Sequence, residues 1–210
     1  MKIKLCGIRR PEDITFLNEF RPDYAGFVFA GKKRRVSPEA AADLAKKLRP
    51  EIGRVGVFVN EPPESVARTV QLAGLNVVQL HGDETAHEIE ILRKLLPGIE
   101  IWKAVRVRNR ESIPAALGLG ADLLLLDSFS KDEYGGTGKT ADFSLIREAN
   151  LNVPFFLAGG LNCDNLEVPV RELSPYGVDI SSGIETDGVK DRRKIEQIMR
   201  ILRGFGKVGI

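Results

Sequence analysis

The chain has 210 residues, a formal net charge of +2, 43% hydrophobic residues and 29% charged ones. That is enough for one sizeable core of ordinary globular composition, and too weak a charge to imply nucleic acid as a partner. Two cysteines and two histidines, all far apart apart from the His81/His87 pair, exclude a disulfide framework and show no metal-ligand spacing. Neither a metal nor a cofactor is expected, and a reducing compartment fits.

No apolar stretch approaches a membrane span, and Lys4, Arg9 and Arg10 interrupt the apolar run that a secretory signal needs. The expectation is a cytoplasmic chain with no membrane partner.

Short β-branched runs alternate with helical patterns from end to end. Strands are predicted near Ile3–Ile8, Tyr24–Phe29, Arg54–Val59, Val77–Leu80, Ile101–Val105, Leu123–Leu126, Phe155–Ala158 and Val178–Ser181. Between them, Ser37-Pro38 offers an N-cap and a proline at the first helical position. Val66, Val70 and Ala73 line one helix face, and Thr85 with Glu88 reads as a capping box. A last helix carries Ile195, Ile198, Met199 and Leu202 at helical spacing and is predicted to stop at Gly204. No linker divides the chain. Eight strand–helix units imply an α/β fold, a single (β/α)8 TIM barrel over residues 1–210, with catalysis at the C-terminal ends of the strands. A doubly wound open sheet shares the alternation, but the count of eight favours closure.

The residues after each predicted strand make a polar, glycine-rich rim: Cys6, the Lys32–Arg35 turn, Asn60, His81, Arg106, Asp127, Gly159-Gly160 and Ser181-Ser182-Gly183. Two glycine turns on the final two strands suit an anion, because their backbone can approach a phosphate closely. The bland alternative is a pair of tight turns with no ligand. Gly135-Gly-Thr-Gly-Lys-Thr140 resembles a nucleotide loop, but a Walker A motif needs glycine at position 133, which is Glu133. A long mobile loop over the site, hinged on these glycines, is the better reading.

Taken together, Lys4-Leu-Cys-Gly-Ile8, Gly26-Phe-Val-Phe29, Val55-Gly-Val-Phe-Val-Asn60, Val78-Gln-Leu-His-Gly82, Asp127 with Tyr134–Thr140, Gly159-Gly-Leu161 and Val178–Glu185 resemble the phosphoribosylanthranilate isomerases, in order and over nearly the whole chain. The resemblance implies an Amadori rearrangement in tryptophan biosynthesis. N-(5-phosphoribosyl)anthranilate opens to a Schiff base and becomes 1-(2-carboxyphenylamino)-1-deoxyribulose 5-phosphate. It implies Cys6 as general base and Asp127 as general acid, and allows contact with neighbouring enzymes of the pathway. An arginine after the second strand binds the anthranilate carboxylate in this family. Counting back from Val36-Ser37 gives Arg34, but the turn is short and the family usually has an aromatic residue where Arg35 stands, so both stay candidates. His81, Gly159, Gly160, Asp179, Ser181, Ser182 and Gly183 complete the expected substrate site.

The chemistry sets demands on these groups. An ordinary aspartate has a pKa near ~3.9, so holding Asp127 protonated at neutral pH takes roughly 4 kcal/mol. Burial behind Leu123-Leu-Leu-Leu126 is the expected source. A thiol is only slightly ionised at neutral pH, and a nearby cation would help. Strand alternation puts Lys4 on the inward face with Cys6, where it is expected to pair with Asp179 on the eighth strand. Each residue also has a plainer reading. A buried strand cysteine is more often an apolar filler, Asp127 could cap its loop, His81 could merely pack, and the basic turn could be solvated. Two other functions compete. A histidine-pathway aminoimidazole isomerase performs the same rearrangement but resembles a doubled half-barrel with aspartates in both catalytic places. A non-catalytic phosphosugar-binding barrel would need neither acid nor base.

Overall fold

A computed structural model describes residues 1–128, 143–149 and 151–205. The Gly135–Thr140 stretch, expected as a glycine-hinged loop, lies outside the described residues. The strands are β1 (Lys2–Cys6), β2 (Tyr24–Val28), β3 (Gly53–Phe58), β4 (Val77–Leu80), β5 (Glu100–Val107), β6 (Leu123–Ser128), β7 (Phe155–Ala158) and β8 (Gly177–Ile180). All are parallel, and each pairs with its neighbours in chain order. β1 also pairs with β8 through Lys2↔Gly177, Ile3↔Val178, Lys4↔Asp179 and Leu5↔Ile180, which closes the barrel and removes the open-sheet alternative. Predicted strand ends are off by at most two residues. β1 stops at Cys6, for example, because Gly7 turns to φ +82° and leaves the extended region.

The crossover helices are α1 (Pro11–Phe20), α2 (Pro38–Ala45), α3 (Pro63–Ala73), α4 (Ala86–Leu95), α5 (Ser112–Leu117), α6 (Ser144–Glu148), α7 (Glu167–Leu173) and α8 (Arg192–Phe205). Their start signals act as expected. Ser37 Oγ accepts from the Ala40 N–H, and the Thr85/Glu88 capping box forms at the head of α4. α8 buries Ile195, Ile198, Met199 and Leu202, and runs through Gly204 to Phe205. A small antiparallel hairpin lies outside the predicted alternation. Asp187 and Gly188 both have positive φ, the geometry of a tight hairpin turn, and join β9 (Glu185–Thr186) to β10 (Val189–Lys190) just after β8.

Strand alternation divides the apolar side chains into two cores. Ile3, Leu5, Val78, Leu80, Leu124, Leu126, Val178 and Ile180 face outward and pack against the helices. Val55, Val77, Trp102, Leu125 and Phe156 fill the barrel. The Trp102 indole stacks on Phe156 and meets Tyr24 edge-on, each at 4.9 Å between ring centres, so the lower barrel is plugged by aromatic rings. Above the plug the inward positions turn polar, beginning with the buried Lys4 and Asp179. Trp102→Ala, which empties the centre of this plug, is expected to lower unfolding free energy by about 3–5 kcal/mol in a denaturant titration.

Candidate active site

The alternation that builds the cores also aims the site residues. Cys6 on β1, Gln79 and then His81 after β4, Asp127 on β6, and Asp179 and then Ser181 after β8 all occupy inward positions, above the plug. They line one open cavity of about 510 Å³. Arg34, Lys32, Lys33, Gly159, Gly160 and Ser182 line it too. Thiol and carboxyl therefore share one barrel mouth. Gln79, to which the sequence alone assigns no role, lines the cavity as well.

Lys4 and Asp179 pair as expected. The ammonium, with no exposed surface, donates to Asp179 Oδ2 at 2.9 Å. Burial lowers the Lys4 pKa, but attraction to Asp179 and to Cys6 outweighs it and the net shift is upward. The expected help to Cys6 is present and insufficient. Burial pushes the Cys6 thiol up, Lys4 and Lys190 pull it down, Asp179 adds to the rise, and the net direction is up. The resting group is a thiol.

Asp127 corrects a second expectation. Leu124, Leu125 and Leu126 are buried, but the Asp127 side chain keeps 30% of its surface exposed. The leucine run is covered by helices and barrel core, whereas the next inward residue has already reached the mouth. His81 Nε2 lies 3.6 Å from Asp127 Oδ2, and His81 Nδ1 is 2.9 Å from Gln79 Nε2. With the amide so oriented, Gln79 donates to Nδ1 and leaves the ring proton on Nε2, facing the carboxyl.

Of the two arginine candidates, only Arg34 faces the cavity. Arg35 forms an isolated bridge with Val28 and points to a separate groove between α2 and α3, with Phe58 and Ser65. Adjacent residues of an extended segment face opposite sides, so one of the two had to turn away. Arg34 grips Glu185 through two bonds, Nε to Oε1 at 2.8 Å and Nη2 to Oε2 at 2.6 Å. Lys190 Nζ donates to the same Oε1 at 2.8 Å and to the Ser181 carbonyl at 2.9 Å. Burial opposes ionisation of Glu185, yet bonds from Arg34 and Lys190 outweigh it and hold the carboxyl at about 2, below its ordinary 4.5. Glu185 and Lys190 were not anticipated. The Asp187-Gly188 turn signal was the local clue to the hairpin that carries them.

Gly159 and Gly160 take φ +99° and +62°, and with Ser181 and Ser182 form one wall of the cavity. Gly183 does not line it. A Cβ there would lie 2.0 Å from the Leu161 carbonyl oxygen, so this glycine lets the turns after β7 and β8 touch. Among the described residues no cluster of three or more His, Cys, Asp or Glu could hold a metal, and no helix is long and apolar enough to cross a membrane.

A plugged barrel with ionisable groups gathered above the strand ends is the architecture of a (β/α)8 enzyme. Likeness to known proteins narrows the class. The family model described as N-(5'-phosphoribosyl)anthranilate (PRA) isomerase matches residues 3–200. An N-(5'-phosphoribosyl)anthranilate isomerase of Acetivibrio thermocellus is 47% identical, over 98% of this chain and 98% of its own. The crystal structure of the Thermus thermophilus phosphoribosyl anthranilate isomerase superposes with a TM-score of 0.85 at 33% identity, covering 98% of this chain and all of that one. The crystal structure of a phosphoribosyl anthranilate isomerase in complex with reduced 1-(o-carboxyphenylamino)-1-deoxyribulose 5-phosphate gives a TM-score of 0.82 at 37% identity, covering 97% of this chain and 99% of that one. The chain belongs to the N-(5'-phosphoribosyl)anthranilate isomerase family, enzymes of tryptophan biosynthesis.

Two measurements test the electrostatics. Lys4→Met leaves Asp179 buried without its cation and is expected to lose about 3–5 kcal/mol of unfolding free energy, much of it recovered in the Lys4→Met/Asp179→Asn double variant. In a Cys163→Ser background, alkylation of Cys6 by iodoacetamide should keep accelerating above pH 9.0, because burial raises that thiol. Lys4→Met should push the midpoint higher still.

Proposed function

We propose that Cys6 and Asp127 carry out the Amadori rearrangement of N-(5-phosphoribosyl)anthranilate as base and acid. The observation that supports this most is the presence of thiol and carboxyl in one cavity that is also lined by the Arg34 guanidinium and by the turns after β7 and β8.

Asp127 gives its proton to the furanose ring oxygen as the C1–O bond breaks, and the anilino nitrogen lone pair forms the C1=N iminium. Cys6, as thiolate, then removes the C2 proton, and the C2–H electrons neutralise the iminium to an enolamine. Its tautomerisation yields the ketone. His81 Nε2–H faces the carboxylate that Asp127 becomes, and stabilises charge where it develops. The substrate helps to prepare both groups. Its phosphate and carboxylate are anions, and its rings displace water from the exposed face of Asp127; both effects favour the protonated acid. The cationic iminium in turn favours the thiolate beside it. Arg34 takes the anthranilate carboxylate, and the turns bearing Gly159, Gly160, Ser181, Ser182 and Gly183 take the phosphate. Asp179 acts through Lys4, below the reacting atoms.

Loss of fluorescence of freshly prepared phosphoribosylanthranilate tests this reading. Cys6→Ser and Asp127→Asn should each lose activity by ~10²–10⁴-fold, the range of a single positioned acid or base, while still binding a product analogue. A wild type that turns over only the histidine-pathway aminoimidazole substrate would replace the reading with the competing isomerase. A wild type that binds both substrates and converts neither would make the barrel a phosphosugar-binding protein.

A further inference from the structure

A buried carboxylate beside the arginine of an anion site needs an explanation. Glu185 has 9% of its side chain exposed and lies 2.6 Å from Arg34, where it weakens the attraction of that arginine for any second anion. Its position on the guanidinium supplies the explanation. A guanidinium offers a carboxylate two edges, a side edge of Nε and Nη2 and an end edge of Nη1 and Nη2. Glu185 takes the side edge with both oxygens. The end edge is left, and Nη1 makes no bond to any described residue.

The carboxylate is itself held from behind. Lys190, with 1% of its side chain exposed, donates to Glu185 Oε1, and Lys194 Nζ donates to the Glu185 backbone carbonyl at 2.6 Å. The aliphatic stem of Arg34 lies over Gly7, where an added Cβ would come within 2.5 Å of Arg34 Cδ. Stem, side edge and counter-ion are therefore all fixed, although Arg34 belongs to an exposed turn. Two cations around one carboxylate also leave one positive charge for an incoming anion.

We infer that Glu185 and Lys190, carried by the β9–β10 hairpin, are positioning residues that present the end edge of Arg34 to the cavity and thereby set the preference for a substrate bearing an aryl carboxylate. The inference rests on the reading of Arg34 as the carboxylate ligand. It makes the hairpin part of the specificity apparatus without any contact to the substrate.

Two product analogues separate orientation from bulk structure: reduced carboxyphenylamino-deoxyribulose 5-phosphate, and its anilino counterpart lacking the carboxylate. Wild type should bind the first more tightly. Glu185→Gln keeps the size of the side chain but replaces one accepting oxygen with an amide that repels the guanidinium. It should weaken the carboxylated analogue by ~10-fold or more, worth about 1.4 kcal/mol, and leave the anilino analogue within about twofold. Lys190→Met should move the same ratio in the same direction by less. Glu185→Asp, which keeps the charge but draws the oxygens back by one methylene, guards against misfolding of the amide variant and should also lose the ratio. Equal weakening of both analogues would reduce Glu185 to a structural residue and overturn the inference. So would a variant whose discrimination matches wild type. A wild type that binds the two analogues equally removes the carboxylate role of Arg34 itself, a failure distinct from a wild type that discriminates through an unaided Arg34.

Discussion

Closure of β8 onto β1 is the constraint from which the site follows. Once Lys2–Leu5 pair with Gly177–Ile180, the strands form a ring with a period of two, and every second side chain on each strand must point inward. Below, the inward positions hold rings that exclude water, with Trp102 and Phe156 at the centre. Above, the same rows continue into Cys6, Gln79, His81, Asp127, Asp179 and Ser181. A one-residue slip of β6 would send Asp127 into the helix layer and a leucine to the mouth. Packing of the lower barrel thus holds the chemistry of the upper barrel in place.

The same geometry creates an electrostatic problem and most of its solution. Lys4 is inward and deep, so its charge survives only because the register sets Asp179 beside it. Cys6 sits one inward step higher, near enough to feel Lys4, Lys190 and Asp179, and burial still dominates. A thiol held neutral at rest is protected from adventitious oxidation and alkylation, since the thiolate is the reactive form. In the proposed mechanism the thiolate forms when the iminium brings its positive charge, which would couple reactivity to occupancy.

Features with a local signature could be read from the chain. Period-two runs gave eight strands, Ser37-Pro38 and Thr85/Glu88 gave helix starts, and alternation predicted the Lys4–Asp179 pair across a closure not yet seen. Features that depend on distance through the fold could not. Arg34 meets Glu185 across 151 residues, and no local pattern distinguishes it from Arg35, which differs only in the side of the chain it faces. The exposure of Asp127 was misjudged for a related reason: the hydrophobicity of Leu123–Leu126 reports how well that strand is covered, not where cover ends. The Asp187-Gly188 turn has a local signature, but nothing local ties the hairpin it closes, and with it Glu185 and Lys190, to Arg34.

That exposed carboxyl bears on how the site divides its work. A fully buried Asp127 would hold its proton permanently, and recovering that proton after each turnover would require passage through apolar surroundings. The carboxyl here is instead open to water at the mouth, with 30% of its side chain exposed. In the proposed mechanism it becomes a desolvated acid only when the anionic substrate covers it. The same division appears at Arg34, whose guanidinium is anchored on its inner edge and open on its outer one. The barrel supplies fixed positions and a charge balance left one anion short, and the substrate supplies the missing desolvation and charge. On this view the geometry of the rim matters more than any permanent perturbation of its groups, and its supports, Lys4 with Asp179 and Lys190 with Glu185, are buried ion pairs that fix that geometry.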